Sequence, residues 1–293
     1  MKKFIKKNYV LLSVLSILVV WGCISANQYK QWYDSNQKFY QQALEICQHE
    51  ERAYCKYIGE KLPEAPDTIS VYFDITANSS LRNLQLFAPI LIIIVAIWSF
   101  HKELRSGYYK NVLTRKSYKE YFKDHYINSL KSVMILPVFI IFVFIMSYFL
   151  SGNFNFEESM KNYPGYLFID DKYLKILPWF SFVYVLNIIL HSMFWINLGY
   201  IAMKKSNHIF VTLLSSFLLY MMIFIISEIF IGAFLFSNIN AQDYFSLANI
   251  WAYDNVDNLW GMVVFSITLV IGSTLIVLRI YKDKENVVIE NEK

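Results

Sequence analysis

The sequence predicts an all-α integral membrane protein with six transmembrane helices and both termini in the cytoplasm. Three observations predict it. Hydrophobic residues make up 56% of the 293 and charged residues only 17%, against about 25% charged in an ordinary soluble domain. Six apolar runs recur, each near the roughly 20 residues a helix needs to cross a hydrocarbon core of about 30 Å. The basic residues fall mainly in alternate connections between those runs.

The runs cover about residues 9–25, 84–100, 132–150, 178–203, 209–236 and 259–281. Lipid offers the backbone no hydrogen-bond partners, so unbroken runs of this length close their bonds as helices. The period-two alternation of a membrane barrel is absent. Eighteen of the 27 lysines and arginines lie in the N-terminus, the second-to-third connection, the fourth-to-fifth connection and the tail, counting Arg279 at the tail end of the sixth run. By the positive-inside rule that side is cytoplasmic. The other side carries nine, and between Asn27 and Asn83 eight acids outnumber six bases. The net charge of +4 therefore reflects topology and not nucleic-acid binding. The whole chain reads as one transmembrane domain of a multi-pass cell-membrane protein, in a bacterial plasma membrane.

Lys2-Lys3-Phe4-Ile5-Lys6-Lys7 before the first run also fits a signal peptide, and Val20-Trp21-Gly22-Cys23 faintly resembles a lipoprotein cleavage box. Trp21 suits such a site poorly, and cleavage would leave five spans. A retained first helix is expected. The segment 26–83 then forms the first external excursion. Trp32, Phe39, Tyr40, Ala43 and Ile46 recur at helical spacing there, which predicts that the first helix continues outward. Pro63 and Pro66 interrupt regular structure, and Thr68 to Ile75 alternates as a short strand. Cys47 and Cys55 sit in this segment. On one straight helix their Cα atoms would lie about 12 Å apart, beyond the roughly 7 Å limit for a disulfide. Two free thiols are the expectation; a bond would require a turn between them.

The other external excursions, Ser151 to Leu177 and Ser237 to Asn258, read as a turn-rich cap and an aromatic interfacial segment. The internal excursion, 101–131, is amphipathic. Leu104, Tyr108 and Val112, with Tyr109 and Leu113 one step round, fall on one helical face, and Lys102, Arg105, Lys110 and Asn111 lie elsewhere. A break from Thr114 to Ser117 precedes a second apolar stripe of Tyr118, Tyr121, Phe122, His125 and Tyr126. Such a pair of interfacial helices can serve as a membrane-surface anchor alone.

The run from Glu103 to Tyr118 also resembles the cytoplasmic segment of ABC-2 type transporter permeases. Glu103 at the end of the second span, Gly107 four residues later, an amphipathic stretch, and Arg115 beside Ser117 match that pattern. Tyr108 stands where the family often has a small hydroxyl residue. The resemblance implies that residues 101–131 are a coupling segment seated on a separate ABC ATPase subunit. Glu103, Leu104, Gly107, Tyr108, Val112 and Arg115 would carry the coupling, with Gly107 allowing close helix approach. It further implies export of a hydrophobic or amphipathic substrate by a homodimer or a pair of permeases. ATP and magnesium would be bound by the partner, and this chain would hold no cofactor. The chain itself has no G-x-x-x-x-G-K-[ST] loop.

Three intramembrane polar residues stand apart. Asn187 and His191 lie one turn apart in the fourth run, sharing a face with Trp195; they suit either helix-to-helix hydrogen bonding or a translocation path. Glu228 is the one acid within a run, a default functional candidate; its depth places it near the outer headgroups, where it suits a solvated outer gate as well as a substrate-binding or proton site on a translocation path. Pro89 and Pro137 can kink their helices. No G-x-S-x-G elbow, H-E-x-x-H pair or metal-ligand spacing points to an enzyme. The alternative to transport is a membrane sensor or assembly scaffold that binds a peptide or envelope component through 26–83.

Overall fold

The computed structural model describes residues 2–49, 55, 67–78, 80–154, 177–204, 206, 208–227 and 259–282. These are helical almost throughout, with no strand among them. Helix α1 covers Lys2–His49, α2 Thr68–Asn78, α3 Leu81–Arg105, α4 Tyr108–Leu113 and α5 Tyr118–Leu130. A 3-10 turn, Lys131–Met134, leads into α6, Ile135–Ser151, and then come α7, Leu177–Met203, α8, Ile209–Ile225, and α9, Leu259–Ile280. Five stretches are long and apolar enough to cross a membrane: Asn8–His49, Phe87–Arg105, Tyr118–Ser151, Phe182–Met203 and Val263–Ile280. The predicted run 209–236 is represented by α8, a shorter apolar helix of 17 residues. Residues 228–236, and Glu228 with them, lie outside the described residues, as does most of what the three excursions expected to be external contain.

Helix α1 has 48 residues, about 72 Å at 1.5 Å each, so it extends well past a bilayer, as the periodicity from Trp32 to Ile46 predicts. Its backbone leaves helical values at Asn8 (φ −115°, ψ 20°). Val14, Leu18, Gly22, Ser25 and Tyr29 form its buried stripe. A Cβ on Gly22 would stand 3.0 Å from the Phe142 ring, so this glycine permits the close approach of α1 and α6. The turn before α3 is tied to α1 by hydrogen bonds. Trp21 Nε1 donates to the Ser80 carbonyl at 3.0 Å, the Ser25 and Ser80 hydroxyls meet at 3.0 Å, and Ser80 N donates to Gln28 Oε1 at 3.2 Å.

The strand expected from Thr68 to Ile75 is instead the helix α2. Its β-branched residues suggest a strand, but Ile69, Tyr72, Ile75 and Thr76 are buried at helical spacing. Asp67 caps it, Oδ1 accepting from Ser70 N at 3.1 Å and from the Ser70 hydroxyl. Tyr72 packs edge-on against Phe144 of α6 at 5.7 Å, and Thr68 Oγ1 donates to the Asn153 carbonyl at 2.6 Å. Packing on a neighbour outweighs the weak strand propensity.

The expectation of two free thiols is also overturned, because Cys47 and Cys55 form a disulfide with Cα atoms 5.5 Å apart. Helix α1 ends at His49, two residues past Cys47, so the two cysteines do not share one straight helix. Arg52 lies between the two cysteines. Tryptic cleavage there is expected to leave two peptides joined until a reductant is added, which mass spectrometry of unreduced and reduced digests checks directly.

Helix α7 is the centre of the bundle. Of its most apolar stretch 67% is buried, against 28% for α1 and 22% for α9. Trp195, Ile196, Asn197 and Tyr200 are wholly buried. A Cβ on Gly199 would stand 2.7 Å from Ile93 Cγ2 of α3, so α3 and α7 touch there because glycine leaves room. Pro137 is the third residue of α6 and cannot donate to the carbonyl of residue 133; the 3-10 turn Lys131–Met134 takes up the mismatch.

Candidate functional site

The elbow between α3 and α5 holds all six residues expected to carry coupling. Helix α3 ends when Ser106 N and Gly107 N close on the carbonyls of Lys102 and Leu104, at 3.0 and 3.3 Å. Gly107 takes φ +71°, a left-handed conformation that costs other L-residues about 1–2 kcal/mol. Among the described residues, nothing lies within 4 Å of where its Cβ would be. Its role is thus to turn the chain, and the expectation that it permits close helix approach is corrected.

This turn also breaks the single amphipathic face expected for Leu104, Tyr108 and Val112. Leu104 is buried on α3, and Tyr109 is buried on α4 with Val112 and Leu113 packed against the core. Tyr108, by contrast, is 55% exposed, and Arg115 is exposed. The reversal at Gly107 moves the inward direction by one residue.

Helix α5 starts with a reciprocal cap. The Ser117 hydroxyl accepts from Glu120 N, and Glu120 Oε2 accepts from Ser117 N, both at 3.3 Å. The Ser-Tyr-Lys-Glu spacing is the capping-box signature and was readable in the sequence. Lys116 pairs with Asp124 at 2.8 Å. That hydrogen bond and charge hold its ammonium above the ordinary lysine range. Both groups are exposed, so the pair adds little stability.

Glu103 braces the elbow from inside. Its Oε2 accepts from the Tyr121 hydroxyl and from His125 Nε2, each at 3.1 Å. Since a carboxylate only accepts, His125 carries its hydrogen on Nε2. Phe100 stands 4.9 Å from the His125 ring and 5.8 Å from Tyr200 of α7. Phe122 stacks on Tyr281, just past α9, at 4.6 Å and 7°. The Tyr126 hydroxyl donates to Asn197 Oδ1 at 2.7 Å, and Asn197 Nδ2 donates to Ser273 Oγ and Thr274 Oγ1 at 2.9 and 3.0 Å. Helix α5 is therefore fastened to the ends of α3, α7 and α9 together. Local sequence carries no sign of these partners, since Glu103 and His125 are 22 residues apart and Tyr126 and Asn197 are 71 apart.

Asn187 and His191 lie elsewhere, in the middle of α7. The Ser266 hydroxyl of α9 donates to Asn187 Oδ1, and His191 Nδ1 lies 3.0 Å from the Asn187 carbonyl oxygen. His191 packs on Trp195, ring centroids 6.3 Å apart, and Trp195 meets Tyr220 of α8 edge-on at 6.0 Å. Ser266 Oγ also lies 3.4 Å from His191 Nδ1, so both Asn187 and His191 reach across to α9. Ser266 is a partner that the sequence reading did not include.

The helical bundle, its apolar crossing-length helices and the elbow define the class: an all-α membrane protein built to pass the bilayer several times. No family model, curated protein or solved structure matches the chain.

Proposed function

We propose that the chain is the membrane-spanning subunit of an ATP-driven transporter of the ABC-2 type, exporting a hydrophobic or amphipathic substrate. ATP is hydrolysed by a separate ABC ATPase subunit, and the permease works as a homodimer or beside a second permease. The observation that carries this reading is the fastening of α5 to α3, α7 and α9 through the Glu103 brace and the rings of Phe100, Phe122, Tyr200 and Tyr281. A force applied to α4 and α5 reaches three helices of the bundle at once. Tyr108, Arg115 and Lys119 remain exposed and offer the surface on which an ATPase would press. In this topology both termini and residues 101–131 are cytoplasmic, and the Cys47–Cys55 segment is outside, where disulfides persist.

The test is purification of the tagged protein from its native membrane in mild detergent, with mass spectrometry of the proteins that accompany it. A stoichiometric ABC ATPase is expected, lost when Tyr108 and Arg115 are changed together to Ala and Glu. A preparation without any nucleotide-binding partner would turn the assignment toward a sensor or scaffold acting through 26–83.

A further inference from the structure

Three buried polar atoms without hydrogen-bond partners among the described residues line one face of α7: Asn187 Nδ2, His191 Nε2 and Trp195 Nε1. Their residues are exposed by 1%, 2% and 0% and lie in the middle of a helix of 27 residues. The Tyr200 hydroxyl on the same helix is also unpartnered among the described residues, but several other buried polar groups of the bundle are satisfied. Ser147, Ser192 and Ser216 each donate to the carbonyl four residues back, at 2.8–2.9 Å, and Asn197 has three side-chain partners. Unpartnered polar atoms at this depth are costly, because neither lipid nor an apolar core replaces the lost bond.

The chemistry of the three atoms is set by bonds already made. Asn187 Oδ1 accepts from Ser266, so the amide turns its two N–H hydrogens elsewhere. His191 Nδ1 faces the Asn187 carbonyl oxygen, which only accepts, so Nδ1 carries the ring hydrogen and Nε2 presents a lone pair. Trp195 Nε1 can only donate. Along α7 the order is therefore donor, acceptor, donor, at one-turn intervals of about 6 Å. One oxygen bonded to two neighbours at about 3 Å each bridges such an interval.

That order selects a ligand. A cation would meet the hydrogens of Asn187 and Trp195. An anion would meet the lone pair of His191. A hydroxyl group supplies both the lone pair and the hydrogen the three atoms lack. We infer that the Asn187–His191–Trp195 face, closed by Ser266 of α9 and Tyr220 of α8, is a buried binding site for neutral hydroxyl groups, filled by water or by the hydroxyls of an amphipathic ligand. The inference stands independently of the transporter proposal, since it uses no residue of the elbow.

The experiment is solid-state NMR of the full-length, 15N-labelled protein in bilayers, reading magnetisation transfer from water protons to the ring nitrogens. Comparison with Trp195→Phe and His191→Phe assigns the two signals, while the readings themselves come from the unaltered protein. Transfer to Trp195 Nε1 and exchange of its hydrogen for deuterium are expected, with His191 Nε2 unprotonated and accepting a hydrogen bond. Adding n-octyl glucoside, a hydroxyl-rich amphipath, separates the two sources. Unchanged water transfer identifies resident water, and its replacement by transfer from the sugar protons identifies ligand hydroxyls. A Trp195 hydrogen that receives no transfer from either source and persists through a day in deuterated buffer would overturn the inference. So would a His191 ring protonated on both nitrogens, which would make the face an anion site.

Discussion

Replacing Glu103 with Leu is expected to lower the stability of the folded protein by about 3 kcal/mol, from two hydrogen bonds to a charged group at about 1.5–3 kcal/mol each, discounted for partial exposure. The Glu103 side chain is only 27% exposed and its partner His125 17%, so the leucine variant leaves the Tyr121 hydroxyl and His125 Nε2 with poor access to water. Both partners bond the same oxygen, Oε2. A Glu103→Gln change can therefore place its amide oxygen there and keep both bonds, losing only the charge; about 1 kcal/mol is expected. Unfolding in graded denaturing detergent, followed by the change in helix content, measures both. A leucine variant as stable as the original would mean that Glu103 is a solvated surface charge and that the elbow is held by its rings alone.

Changing Gly107 to Val is expected to loosen the elbow by about 2 kcal/mol, since a β-branched residue is strongly disfavoured in the left-handed region. The space around the position is open, so the cost is one of backbone and not of crowding. The order of substitutions separates the two explanations. If Gly107 served close packing, Ala would be tolerated better than the larger Asn. With φ at +71°, Asn is expected to be the better tolerated, because it enters the left-handed region more readily than other non-glycine residues. Limited trypsin digestion reports the result through cleavage after Arg105 and Lys110, which flank the turn. The valine variant should be cut faster by on the order of tenfold, as expected when local opening is favoured by more than about 1.4 kcal/mol. An alanine variant that resists trypsin better than asparagine would restore the close-approach reading.

Much of the elbow was legible in the sequence. The break from Thr114 to Ser117 and the inward stripe from Tyr118 to Tyr126 follow from periodicity, which a helix imposes on any chain that buries one side; the extension of α1 follows the same spacing although Trp32 and Phe39 stay exposed. Tyr108 escaped that logic. A glycine with positive φ resets the angular phase between α3 and α4, and periodicity counted through Gly107 assigns the next residue to the wrong side. The reading of Thr68 to Ile75 failed for a related reason, because 11 residues are too few for pattern to outweigh β-branched composition, whereas a cap at Asp67 and a neighbouring helix are enough to decide it. A straight helix through Cys47 and Cys55 would hold them apart, but α1 ends at His49.

The sequence by itself determined that the chain is helical and apolar enough for a membrane, because composition and run length act on each segment separately. It also determined where the break before α5 lies, from Thr114 to Ser117, because the Ser117 cap is local chemistry; the turn at Gly107 was left to the structure. Only the tertiary structure decided what the elbow grips and which polar atoms are left over inside the bundle. The brace of Glu103 on His125, the fastening of Tyr126 to Asn197 and the approach of Ser266 to Asn187 join residues 22, 71 and 79 positions apart. Hydrogen bonds require atoms within about 3 Å, and helix periodicity says which side of a helix is buried without saying which neighbour buries it.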